Sequence, residues 1–111
     1  MNLLNWLRDV FSDRRKALSL YRTGMRRAKN RDHAGAIDDY SAVIAMPNSP
    51  ADVRAMALYN RALIHSAAGD RVKATDDLGE ALAMAEIPVN VRTAARQKLV
   101  RMSHQTGEQG V

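Results

Sequence analysis

Residues 17–46 read ALSLYRTGMRRAKNRDHAGAIDDYSAVIAM, and residues 55–84 read AMALYNRALIHSAAGDRVKATDDLGEALAM. Laid over each other at an offset of 38, they pair Ala17 with Ala55, Leu20 with Leu58, Tyr21 with Tyr59 and Asp32 with Asp70. Ala36 then meets Ala74, Asp38-Asp39 meets Asp76-Asp77, and Ala45-Met46 meets Ala83-Met84. The register runs on, with Pro50 on Pro88, Val53-Arg54 on Val91-Arg92, Ala57 on Ala95 and Gly69 on Gly107. Self-similarity at a fixed period of this size marks stacked supersecondary units, none of which buries its apolar face alone. The 111 residues hold two whole units and the first half of a third.

Each unit reads as a pair of helices. In the second, Met56, Tyr59, Leu63 and Ala67 follow helical spacing, and Gly69 is a natural C-terminal stop. Asp70 then caps a helix whose Ala74, Leu78, Ala81 and Leu82 form the inward face. Upstream, Ser49-Pro50-Ala51-Asp52 supplies a cap, a proline at the first helical position and an early acid. Met46-Pro47-Asn48-Ser49-Pro50 is the clearest linker, because two prolines cannot continue a helix. No stretch alternates with the period of a strand, so the expected fold is all-α, built of antiparallel helix hairpins.

Gly24, Ala36 and Tyr40, followed by Pro47, resemble the small–small–aromatic–proline skeleton of a tetratricopeptide (TPR) repeat. In the second unit Leu58, Ala62, Gly69-Asp70, Ala74, Leu78 and Ala81 stand at the corresponding places, and the resemblance covers residues 17 to 102. The period is 38 where the family has about 34, and Arg27 and His65 stand where an aromatic is usual. The resemblance implies a right-handed α-solenoid and a non-enzymatic scaffold for protein–protein interaction, taking a peptide or helix in a concave groove, or self-associating. Carried over, that groove presents Leu18, Tyr21, Arg22, Met25 and Lys29 from the first unit, and Met56, Tyr59, Asn60 and Leu63 from the second. The last helix adds Gln97, Lys98 and Arg101. The competing reading is that the apolar members simply fill core. Asn60 matches one position of the family's carboxylate clamp, but Tyr21 and Met25 replace the others, so a chaperone-tail receptor is not expected.

Composition sets outer limits. The absence of cysteine excludes disulfides, thiolate zinc sites and cysteine nucleophiles, and it suits a reducing, cytoplasmic compartment. The first residues do not form a signal peptide, since Asn5, Arg8 and Asp9 interrupt them, and no apolar run is long enough to span a bilayer. The net charge of +5 is unevenly spread: residues 1–31 carry +7, residues 32–90 carry −5 and residues 91–111 carry +3. Thirteen of the seventeen cations are arginine, which favours carboxylate or phosphate partners. Arg15, Arg22, Arg26 and Lys29 fall within about 60° on a helical wheel, opposite the apolar side. The stripe is either a solvated face or an attractor for an acidic protein; nucleic acid is disfavoured by five aromatics and no base-reading motif.

The first twelve residues read as a separate amphipathic helix. Leu3, Leu4, Trp6, Leu7, Val10 and Phe11 cover about 160° of its circumference. Ordering each residue costs about 1–2 kcal/mol, and each large apolar group returns about 1.5–3 kcal/mol on full burial, so this contact face needs a surface. The candidates are its own repeat domain, a second copy forming a homo-oligomer, or a membrane surface. Asp9 and Asp13 place the membrane last, while Arg14-Arg15-Lys16 keeps a basic module for anionic membrane or nucleic acid as the alternative function. The expected organisation is thus an amphipathic helix over 1–12, a repeat domain over 13–104 and a flexible polar tail over 105–111.

Nothing points to catalysis, a cofactor or a metal. Adjacent residues on a helix diverge by about 100°, so neither Asp38-Asp39 nor Asp76-Asp77 converges on one atom. Their recurrence predicts solvated or arginine-paired carboxylates on the outer faces of the second helices. His33, His65 and His104 lack metal-ligand spacing, and no phosphate loop or HExxH sequence occurs. Gly24 is the sharpest structural marker: glycine inside a helix costs about 1 kcal/mol, which predicts a close helix approach there.

Overall fold

A computed structural model describes residues 2–109, with side chains through Gln105. It contains five helices and, among the described residues, no strand: α1 Leu3–Lys29, α2 His33–Ala45, α3 Ala51–Ala67, α4 Arg71–Ala83 and α5 Val89–Gln109. No helix among them is long and apolar enough to cross a membrane. The short turns at 30–32 and 68–70 fold α1 against α2 and α3 against α4 as antiparallel hairpins. Every consecutive pair of helices packs together. The odd-numbered helices also touch one another, α1 with α3 and α3 with α5, whereas α2 and α4 do not. The odd helices therefore make one layer and the even helices another.

The two hairpin turns are built alike. After α1, the Arg31 amide donates to the Ala28 carbonyl at 3.1 Å and the Asp32 amide to that of Arg27 at 2.8 Å. After α3, Gly69 donates to Ser66 at 3.0 Å and Asp70 to His65 at 2.8 Å. Both are Schellman closures, which need a left-handed residue just past the helix. That residue is Gly69, at φ +84°, in one turn and Arg31, at φ 64°, in the other. Each turn then hands over to a capping aspartate, Asp32 accepting from the Gly35 amide at 3.0 Å and Asp70 from the Lys73 amide at 3.1 Å. The linker before α3 departs from the expected cap: Pro50 occupies the cap position with no side-chain hydrogen bond, and the Ser49 hydroxyl is buried without a partner.

The core repeats with the sequence. Ala17 and Ala55, Ala36 and Ala74, and Ala57 and Ala95 are all fully buried, as are Val53 and, nearly so, Val91. Where the helices of each hairpin cross, Gly24 lies under Tyr40 in the first, and Ala62 clusters with Leu78 in the second. A Cβ on Gly24 would stand 2.7 Å from Tyr40 Cε1, closer than atoms can approach, so the glycine makes room for the larger ring. The close approach expected at Gly24 is present.

Two boundaries differ from expectation. The amphipathic stretch over 1–12 is not a separate helix; from Leu3 onward it is the beginning of α1. No glycine or proline lies between Asn2 and Thr23, and Arg14-Arg15-Lys16-Ala17 are all good helix formers, so nothing stops propagation through Ser12-Asp13. At the other end α5 continues to Gln109, into the segment expected as a tail, while Met1, Gly110 and Val111 lie outside the described residues. At 1.5 Å per residue α1 is about 40 Å long and α2 about 20 Å. About half of α1, its N-terminal part, therefore overhangs its partner.

Candidate binding surface

The odd-numbered layer brings Tyr21 of α1 against α3, where Asn60 Nδ2 donates to the tyrosine oxygen at 2.6 Å. The Tyr21 ring also rests 5.8 Å from that of Tyr40 at 45°. Burial pushes the Tyr21 phenol above its ordinary value, opposed by the bond from Asn60. Burial, with Tyr21 and Asp39 nearby, pushes Tyr40 up to about 12. Both rings thus stay neutral, one as floor and one as support.

Beside this pair a cleft of about 200 Å³ opens between α3 and α5, lined by Tyr21, Met56, Tyr59, Asn60, Asn90, Val91 and Ala94. It gathers four of the groove residues expected from sequence: Tyr21, Met56, Tyr59 and Asn60. Leu18 packs half-buried against the first core cluster, and Leu63 is half-buried farther along α3. Arg22, Met25 and Lys29 are exposed on α1, away from the cleft. On α5, Gln97, Lys98 and Arg101 lie beyond it, and Asn90, Val91 and Ala94 take their place. The signal for these was available, because Ala94 is the repeat equivalent of Met56 and Leu18, and Asn90 that of Asp52.

The N-terminal contact face divides in two. Trp6 and Val10 line a second, larger cleft of about 510 Å³ with Asn5, Asp9, Asp13, Arg14, Asn48 and Pro50, between α1 and the α2–α3 linker. Leu3, Leu4 and Phe11 stand 67%, 68% and 63% exposed, and only Leu7 is half-buried. The repeat domain does not cover this face. Arg14 anchors the root of the overhang, pairing through both guanidinium nitrogens with Asp52 at 3.1 and 2.8 Å. Hydrogen bonding to Arg14 holds the Asp52 carboxyl below its ordinary value.

The acidic doublets are only half on the outer surface. Asp38 and Asp76 are exposed, but Asp39 and Asp77 are buried inside their hairpins, because adjacent helical residues diverge and the second faces the partner helix. Arg61 grips Asp77 with two bonds, Nε at 2.8 Å and Nη2 at 2.7 Å, and reaches Ser41 of α2 with Nη1 at 2.9 Å. His65 Nε2 stands 3.9 Å from the same carboxylate. In the first hairpin Arg27 Nη1 makes one 3.2 Å contact with Asp39, whose Oδ2 is buried without a hydrogen-bond partner. Arg27 and His65 are repeat equivalents, as are Asp39 and Asp77, so each hairpin places a basic side chain against a buried aspartate. This pairing fits a structural role. Among the described residues no group of three His, Asp or Glu side chains is placed to hold a metal.

No family model, no curated protein and no solved structure matches the chain.

Proposed function

We propose that the chain is a TPR-like interaction module, without enzymatic activity, that binds a peptide or helix of another protein along the layer formed by α1, α3 and α5. The observation that carries this reading is the α3–α5 cleft. Its apolar walls, Met56, Tyr59, Val91 and Ala94, are interrupted by the amides of Asn60 and Asn90, the mixture that lets a site hold an apolar anchor and fix its backbone. Half-buried tyrosines suit such a role, since they supply contact area at small entropic cost.

Selection of a displayed random 12-residue library against the immobilised protein tests the reading. Peptides that bind with micromolar affinity, and that lose at least tenfold of it on Tyr59→Ala or Met56→Ala while the melting curve holds, support it. Failure to enrich any peptide, or binding indifferent to both substitutions, overturns it.

A further inference from the structure

Because α1 is one unbroken helix, its overhang and its repeat segment share a single wheel. Leu4, Phe11, Leu18 and Met25 then recur every seven residues along one line of α1. Arg8, Arg15, Arg22 and Lys29 recur every seven along a neighbouring line, about 40° away, with Arg26 beside them. The basic stripe, expected opposite the apolar side, therefore borders one apolar row of the continuous helix. All five cations are exposed, and so are Leu4, Phe11 and Met25. The double row runs about 30 Å along α1, away from α2, which meets Gly24, and along the edge of the side that meets α3 through Arg14 and Tyr21, with Leu18 half-buried against the core.

We propose that this free face of α1 docks an acidic amphipathic helix of a partner protein. The partner's apolar heptad row would lie along Leu4, Phe11, Leu18 and Met25, and its carboxylates beside Arg8, Arg15, Arg22 and Lys29. The proposal rests on reading the molecule as an interaction module and names the chemistry of what it takes. Charge complementarity selects the occupant. In an antiparallel pair with a second copy, the basic row faces itself; in a parallel pair it faces Leu7, Arg14 and Tyr21, none of them acidic. Charge also separates a protein helix from a lipid surface: Asp9 and Asp13 lie on the same overhang as Arg8 and Arg15, a mixed polar face that an anionic bilayer does not favour.

The probe is a synthetic 21-residue helix with leucine at heptad spacing flanked by glutamate, compared with glutamine-flanked and lysine-flanked versions by titration calorimetry on the full chain. The glutamate helix should bind at least tenfold tighter than the glutamine helix, weaken in high salt, and lose at least tenfold on Phe11→Ser or on Arg15→Glu with Arg22→Glu. All three positions are exposed, and unchanged melting curves verify the fold. Tyr59→Ala should leave this binding intact. If Tyr59→Ala abolishes it and the α1 substitutions do not, the proposal falls while the cleft between α3 and α5 stands as the binding site. Equal binding of the lysine helix overturns the proposal. So does co-sedimentation with phosphatidylglycerol vesicles by a protein that ignores the glutamate helix, or a concentration-dependent dimer lost on Arg15→Glu.

Discussion

The hairpins α1–α2 and α3–α4 share a plan, residue for residue at an offset of 38, and reach it with different chemistry. At the helix crossing one uses glycine under tyrosine, the other alanine beside leucine. In the turn one uses arginine in a left-handed conformation, the other glycine. Against the buried aspartate one sets a single arginine contact, the other a bidentate arginine braced by serine and histidine. What is repeated is therefore the shape requirement at each position: a fixed summed volume, a left-handed turn, a neutralised carboxylate. The second hairpin meets each with less strain, and the first ought to be the softer of the two.

The largest effect expected from this contrast is at the crossing. Gly24→Leu forces a branched side chain into the Tyr40 ring and should destabilise the chain by about 3 kcal/mol, read in a denaturant melt. Gly24→Ala with Tyr40→Leu transplants the second hairpin's pair into the first and should recover most of the loss seen with Gly24→Ala alone. Failure to recover would break the equivalence of the two crossings. Next in size are the aspartates. Asp77→Ala strands the mostly buried Arg61 and should cost about 3 kcal/mol, whereas Asp39→Ala removes a weaker contact and relieves a stranded oxygen, costing about 1 kcal/mol. Equal losses at the two sites would contradict the asymmetry.

A smaller effect has the opposite sign. Arg31→Gly removes the side chain from a left-handed residue and should stabilise the first hairpin by about 0.5–1 kcal/mol, raising the melting midpoint. A drop would mean that the turn tolerates arginine without strain. The smallest expected signal is at the Arg14–Asp52 pair that ties α1 to α3. The folded carboxyl titrates below its ordinary value of 3.8, so its stabilisation is complete above that pH and disappears as the pH falls through the lower folded value. Both partners are well exposed, so screening keeps the effect small. The melting midpoint of the native chain minus that of Asp52→Asn should be small, constant at neutral pH, and should fall toward zero only in acid below the carboxyl's ordinary value. A difference that persists in acid would assign the effect to packing.

Much of this architecture was open to reading from the residues. The offset of 38, the stop at Gly69, the cap at Asp70 and the crowding at Gly24 each rest on local chemistry with one structural solution. The unbroken α1 was not, because the apolar face of Leu3 to Phe11 reads as a unit of its own, and only the lack of a breaker after it lets the helix run through. The inward turn of Asp39 and Asp77 was hidden for a different reason. Of two adjacent carboxylates the wheel separates directions, but which one is buried depends on where the partner helix lies. The part of α5 that lines the cleft was only partly legible: the offset of 38 carries Met56 onto Ala94 but Tyr59, Asn60 and Leu63 onto Gln97, Lys98 and Arg101, and only Ala94, with Asn90 and Val91, reaches the cleft.

An unbroken helix also works as a gear. Each residue advances the surface by about 100°, so the angular phase of Leu4 and Phe11 is locked to that of Tyr21 and Gly24 with no hinge to absorb a mismatch. One residue inserted between Ser12 and Ala17 would leave every side chain of the overhang present and turn its apolar row away from Leu18 and Met25. The length of α1 between its two halves is thereby a geometric constraint, set in whole residues.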